Sequence, residues 1–409
     1  MTADVAIAPT APQAQQLSPL ARLRRECFAT PVDGLITLGL LAGLGAAVQA
    51  LLHWALRQAD WAVIQANSTL LAVGRYPLGQ QWRLWLLTAL LLLACGGSWG
   101  LLRGRGWPRS DRLTAGLVVA MALMLPRGLA LDGAIQARWW GLAALLLLAR
   151  WASGRWGALL PHRCRPLLPL VWPLLYVVGL VLIGGGLGLQ RVTPSQWGGL
   201  LLTLLAASFA ISLCCPLGIA LALGRRSALP LLRWSATLYV EFIRGAPLIT
   251  LLFLGQNILG FLLPGGLAPD RVWRAVWILT FFAAAYVAEA VRSGLAAVPR
   301  GQEEAARSLG LNGVQTLSRI VLPQALRVAL PATVGQFITL LQDTTLLSLI
   351  GLFDLLGVAR AIMTNPDFLG RNAEVYLVLA VLFWCCCAAL GLGSRALEKR
   401  LSRHAPSSR

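Results

Sequence analysis

The chain has 409 residues, 57% of them hydrophobic and 12% charged, with a formal net charge of +19. A soluble domain of this size carries roughly a quarter charged residues, so the chain lacks the polar surface to face water on every side. In a soluble protein the basic excess would suggest nucleic acid; beside long apolar runs it reads as basic residues retained at one face of a membrane, and no nucleic-acid partner is expected.

Residues 1–34 read as a flexible tail, because Met1 to Gln16 is rich in Ala, Pro and Gln and has no apolar period. The tail is not a secretory signal, since the first apolar run is long enough to span. Apolar runs of about 20 residues, the length that crosses a hydrocarbon core as a helix, then recur along the chain. They are continuously apolar and not alternating, which excludes barrel strands. The N-terminal half, residues 35–190, holds Leu35–Leu56, Trp82–Leu102, Leu113–Leu131, Trp139–Leu160 and Leu167–Leu189. Pro126 and Arg127 interrupt the third run, and the fourth ends among Arg150 and Arg155. A long external loop is expected after the first. The Gly-rich stretch Gly184 to Gly188, then Gln190 to Ser195, separates the halves. The C-terminal half, residues 196–397, holds Trp197–Leu223, Ala246–Leu263, Val272–Leu295, Ala325–Ile350 and Ala373–Leu397, and a short tail, 398–409, follows. The expected fold is an all-α integral membrane protein of about ten transmembrane helices.

Charge orients it. With both termini in the cytoplasm, 25 of the 35 basic residues fall on the cytoplasmic side, which is the bias that retained arginines produce. The eight cysteines, Cys27, Cys95, Cys164, Cys214, Cys215, Cys385, Cys386 and Cys387, mostly lie in apolar runs. They read as small hydrophobes, with no disulfide framework and no metal site. His53, His162 and His404 are scattered, and no nucleophile–base arrangement is visible, so an enzyme is not expected.

Ionisable and polar residues inside spans are functional candidates. Glu289 and Arg292 are three apart on one helix face and read as a local ion pair. Glu241 and Arg244 share that spacing and read as a surface pair on an amphipathic helix, with a gating role open. In the ninth span Gln336, Thr339 and Asp343 share a face, followed by Thr344. Such a stripe belongs in a bundle interior, where it lines a solute path or bonds helices together. Gln256 and Asn257 are candidates from the seventh span, and Asp354 is placed at the outer surface.

Between the eighth and ninth spans lies a long cytoplasmic segment, Ala296 to Pro323. Pro299 and Gly301 mark a turn. Gln302, Glu303 and Glu304 suit the first turn of a helix, Ala305, Ala306 and Leu309 form a small apolar stripe, and Gly310 is a helix stop. A second short helix, Val314 to Leu322, is expected to end at Pro323. The hairpin reads either as a surface loop or as a docking element for another protein. A P-loop needs Gly-Lys followed by Ser or Thr. The sole lysine, Lys399, is followed by Arg400, so any ATP hydrolysis must be borrowed.

The string Glu304-Ala-Ala, Gly310, Ile320 and Leu322-Pro323 resembles the EAA loop of binding-protein-dependent ABC importers. Tyr239 to Leu248 resembles the amphipathic segment of that family. Ala285 to Gly294 and Gln342 to Leu347 resemble its polar amino-acid permeases, with departures at Ala246 and Ser293. This likeness covers about Gln196 to Leu397. Trp61 to Ile64, Asn67, Gly74 to Pro77 and Gln81 to Arg83 resemble the extended N-terminal region of the M-type subunit of general L-amino-acid permeases. The resemblance implies a five-helix permease core at 196–397 with cytoplasmic coupling helices. It also implies a bacterial inner-membrane importer of L-amino acids, driven by a cytoplasmic ABC ATPase pair that holds ATP and Mg, fed by a periplasmic amino-acid-binding protein, and paired with a second, related permease. Glu303, Glu304, Ala305, Ala306, Gly310, Ile320, Leu322 and Pro323 would couple to the ATPase. An ion-driven secondary transporter and a membrane scaffold without a solute path are the alternatives that the residues alone leave open.

Overall fold

The computed structural model describes residues 26–104, 106–128, 133–157, 170–262 and 269–402. Most of the expected N-terminal tail, Cys164, His162 and the chain end from residue 403 lie outside them. Every expected span coincides with a helix, and no β-strand occurs among the described residues beyond two isolated bridges. By length and composition five helices among the described residues suit a membrane crossing, and up to six if one bent pair counts as a single span.

Residues 1–60 cluster as one unit and 61–409 as another. Helix α1, Pro31–Arg57, lies in the first. Thr30 opens it with a capping box: its hydroxyl accepts from the Asp33 amide at 3.1 Å, while Asp33 accepts from the Thr30 amide. None of its residues is buried within the chain, as suits a helix whose apolar surface meets lipid all round.

In the second unit the expected external loop contains a helix, α2, Ala62–Val73. Val63, Ile64 and Leu71 are buried on its inner side, against Leu355, Val358, Ala359 and Ile362 of a distant helix. The apolar positions recur at helical spacing, and burial against a surface nearly 300 residues away decides their state. Helices α3, Trp82–Arg103, α4, Arg109–Gly128, and α5, Gly133–Trp156, follow, then α6, Val171–Gly184. Helices α3 and α5 pack closely, because glycines line the contact. A Cβ at Gly154 would meet the Gly104 carbonyl oxygen at 2.6 Å. Arg150, expected to flank a span, is instead fully buried. It pairs with Asp111 at 3.1 Å, donates to the Gly106 carbonyl at 2.8 Å and stacks over Trp107. A buried guanidinium survives only with such partners.

The glycine stretch between the halves is a pinned turn. Gly185, Gly186 and Gly188 take positive φ there. The Tyr76 hydroxyl donates to the Ile183 carbonyl at 3.0 Å, and Arg83 donates to the Gln190 carbonyl at 2.8 Å.

The C-terminal half comprises α7, Gly199–Arg225, α8, Pro230–Gly245, α9, Leu248–Leu262, α10, Arg271–Ala296, α11, Arg300–Ser308, α12, Leu322–Asp343, α13, Leu355–Met363, and α14, Asn372–Ser402. Helices α8 and α9 form the bent pair, with 107° between them. Helix α10 is the centre. Fourteen of its residues are buried, and it packs on α7, α8, α9 and α12. Its run of small residues, Ala283 to Ala285 and Ala288, admits neighbours closely. A Cβ at Gly218 of α7 would lie 2.6 Å from Val287.

Candidate functional site

Helix α11 leaves the end of α10 through Pro299, which caps it, so the helix begins at Arg300 and Gly301 falls inside its first turn. Gly310 stops it with φ +79°, as expected. The second short helix does not end at Pro323. Gly313–Gln315 opens a helix that passes through a π-helical stretch, Thr316–Val321, into α12, with Pro323 in the first turn of α12. Proline is tolerated there because the π-helical stretch just before it already breaks the regular ladder of N–H to carbonyl bonds.

Of the coupling candidates, Glu304, Ala305, Gly310 and Pro323 are exposed, while Glu303, Ile320 and Leu322 are half-buried. Ala306 is buried at 3% exposure, so it seats α11 on the chain itself and does not reach a partner. Gln324 of α12 donates to Gln302 at 3.2 Å, a second tie. Leu309 and Val314, 82% and 77% exposed, are large apolar groups of the same hairpin without cover. Val314 is an addition that helical spacing alone does not reveal.

Where α7, α8 and α10 end together, Glu289 is the hub of an ion network. It accepts from Arg292 on its own helix, from Arg225 of α7 at 3.0 Å, and lies 3.5 Å from Arg244 of α8. Glu241 pairs with Arg225 at 2.9 Å. The expected Glu241–Arg244 surface pair is thereby corrected. The end of α8 lies against α7 and α10, and each charge finds a partner on a neighbouring helix instead of three residues along its own. Arg225, the residue that joins both glutamates, carries no sequence signal beyond its place at the end of an apolar run.

The polar face of α12 is divided. Leu340 and Leu341 are buried beside it. Gln336 and Asp343 are half-buried, and Thr339 is exposed and donates to the Gly335 carbonyl at 3.2 Å. Thr344 is fully buried and donates to the Leu341 carbonyl. Gln256 donates to the Arg271 carbonyl at 2.7 Å, tying α9 to α10, and Asn257 donates to the Phe253 carbonyl of its own helix. These two do not join the α12 stripe. Asp354, expected at the outer surface, is fully buried. It caps α13 by accepting from the Leu356 and Gly357 amides, and the Leu355 amide donates to Thr203 of α7. Burial pushes its carboxyl up to about 7, against the downward pull of the two amides. No group of His, Cys, Asp and Glu suited to a metal occurs among the described residues.

Residues 214–403 match the family described as binding-protein-dependent transport system inner membrane component. The inner membrane amino-acid ABC transporter permease protein YhdY of Escherichia coli is 41% identical over 64% of this chain and 71% of its own. The glutamate/glutamine/aspartate/asparagine transport system permease protein BztC of Rhodobacter capsulatus is 32% identical over 97% of each chain. Among solved structures, an amino acid ABC transporter with histidines is 32% identical, with TM-score 0.45, covering 49% of this chain and 92% of that one.

Proposed function

The chain belongs to the amino-acid ABC transporter permeases, within the binding-protein-dependent inner membrane components, and on that premise we propose that it couples a separate ATPase to L-amino-acid import through α11. As a member it is a multi-pass inner-membrane transport subunit. Its termini and α11 would face the cytoplasm. A pair of ABC ATPase chains would hold ATP and Mg, a periplasmic binding protein would deliver the amino acid, and a second, related permease would complete the path.

The observation that carries this reading is the mounting of α11. Glu304, Ala305 and Leu309 are exposed, while the buried Ala306 seats α11 on the chain, Gln302 ties it to Gln324 of α12 and Pro299 joins it to α10. A displacement of α11 is therefore passed to the two helices that form the middle of the core. The ATPase can shift the core between states only by binding them unequally, and a rigidly seated helix is how such a difference reaches the spans. The exposed Gln342 and Thr339 on α12 favour a protein neighbour or a wet path over lipid on that side.

Uptake into vesicles holding the chain, its partner permease, the ATPase and the binding protein tests the reading. Uptake should require ATP. Glu304→Arg should leave the complex assembled or weakened but reduce ATP-dependent uptake at least tenfold. Uptake without ATP, or full coupling in the variant, overturns it.

A further inference from the structure

Beside the Glu289 network, a cleft of about 340 Å³ is lined by Arg225, Arg226, Arg233, Arg292, Thr237 and Ala296. Among the described residues no acidic side chain lines it. The surroundings do not neutralise it: five arginines, with Arg244, meet three glutamates, Glu241, Glu289 and Glu303. Arg226 lies 4.0 Å from Glu303, at the limit of an ion pair, and Arg233 makes no ion pair among the described residues. Four guanidiniums converging on one cleft hold more positive charge than the chain itself cancels. Arg225 and Arg292 direct their forks at Glu241 and Glu289, so Arg226 and Arg233 carry the uncancelled charge, and their forked donors suit phosphate oxygens.

Helix α8 adds a second, independent feature. Arg233 and Thr237, one turn apart, face the cleft, and Ala236 and Val240 are buried against the core. On the opposite side Leu231, Trp234, Leu238 and Phe242 form one continuous apolar stripe, each 64% exposed or more. An amphipathic helix with a tryptophan in its apolar stripe and arginine on its flank matches a helix lying in the bilayer interface. The cleft then opens on the headgroup side of α8, with hydrocarbon along the stripe on the far side of the helix.

We propose that the Arg225–Arg226–Arg233–Arg292 cleft binds the phosphate of an anionic phospholipid headgroup in the leaflet that α11 faces. Basic pockets between transmembrane helices on the cytoplasmic side recognise such headgroups. The proposal takes its leaflet from the orientation proposed above. Each surface arginine contributes about a fivefold gain in anionic-lipid affinity, so Arg226 and Arg233 together contribute roughly 25-fold.

The test is native mass spectrometry of the purified full complex, with bound lipid quantified after exchange into phosphatidylcholine containing a minority of cardiolipin or phosphatidylglycerol. Wild type should retain anionic lipid. The variant Arg226→Gln/Arg233→Gln should lose most of it, with unchanged assembly on size-exclusion chromatography. Arg233→Lys, which keeps the charge, should keep most of it. In parallel, inorganic phosphate is titrated into the lipid-exchanged complex and melting is followed; stabilisation by phosphate matching that by lipid would reassign the site to a free anion and overturn the lipid proposal. Equal lipid retention in wild type and the double variant would also overturn it, and so would α8 covered by the partner permease in a cross-linking map through Trp234→Cys. Retention is measured without transport, so a wild-type complex that binds lipid but imports nothing with ATP would count against the importer reading alone.

Discussion

Removing the Glu289 carboxylate distinguishes a network from a local pair. Glu289→Gln keeps the shape and deletes the charge that faces Arg225, Arg244 and Arg292. The Glu289 side chain is 25% exposed and that of Arg225 14%, 3.0 Å apart. At an effective dielectric of about 20 their gross attraction is roughly 5 kcal/mol. Desolvation and the competing arginines cut the measurable coupling to about 1–3 kcal/mol. At about 2.1 cal/mol/K per residue a chain of 409 residues shifts by roughly 1 °C per kcal/mol, so each single variant, Glu289→Gln and Arg225→Gln, should lower the melting temperature of the purified complex by roughly 1–4 °C. The double variant should fall by less than the two single drops added, because the Glu289–Arg225 pair is lost in both, while Arg225→Gln also loses Glu241 and Glu289→Gln also loses Arg244 and Arg292. Drops that simply add would refute the hub, because independent sites add; Glu289 would then be serving Arg292 alone.

Gly218→Leu should destabilise by about 1–3 kcal/mol through overpacking against Val287, read as a lower melting temperature, whereas Gly245→Ala, with open space at its Cβ, should change little. Asp354 carries a sign-defined pH effect. Its folded pKa lies near 7 and its unfolded value near 3.9, so its contribution is full below about pH 4 and is lost as pH rises through about 7. The wild-type melting temperature should fall across that window, and Asp354→Asn, which still caps α13, should flatten the profile. Asp343→Asn should reduce uptake at low substrate at least severalfold if the α12 stripe lines the path; normal uptake would leave Asp343 a structural role.

The spans were legible because a helix in lipid must be apolar along about 20 residues, and nothing else in the chain is. The turn chemistry around α11 was legible for the same local reason: Gly310 has to take a left-handed backbone, and Gln302 to Glu304 sit where a helix dipole favours them. What local reading missed is long-range. Val63, Ile64 and Leu71 look like loop residues until α13 is brought beside them. Arg150 counts as a flanking charge until Asp111 and Trp107 surround it. Glu241 and Arg244 look like partners by spacing, and only the meeting of three helix ends redirects them. Pro323 reads as a helix end in one dimension, where the π-helical stretch that carries the chain through it into α12 cannot be seen.

The packing of α2 makes the two halves inseparable. A chain begun at the Gly184–Gly188 turn would keep α7 to α14 but lose Val63, Ile64 and Leu71, which cover Leu355, Val358 and Ile362. It would also lose Tyr76 and Arg83, which hold the turn itself. The leading segment is thus a component of the core's own interior, and shortening this subunit to a minimal permease would require redesigning α13 before anything is cut.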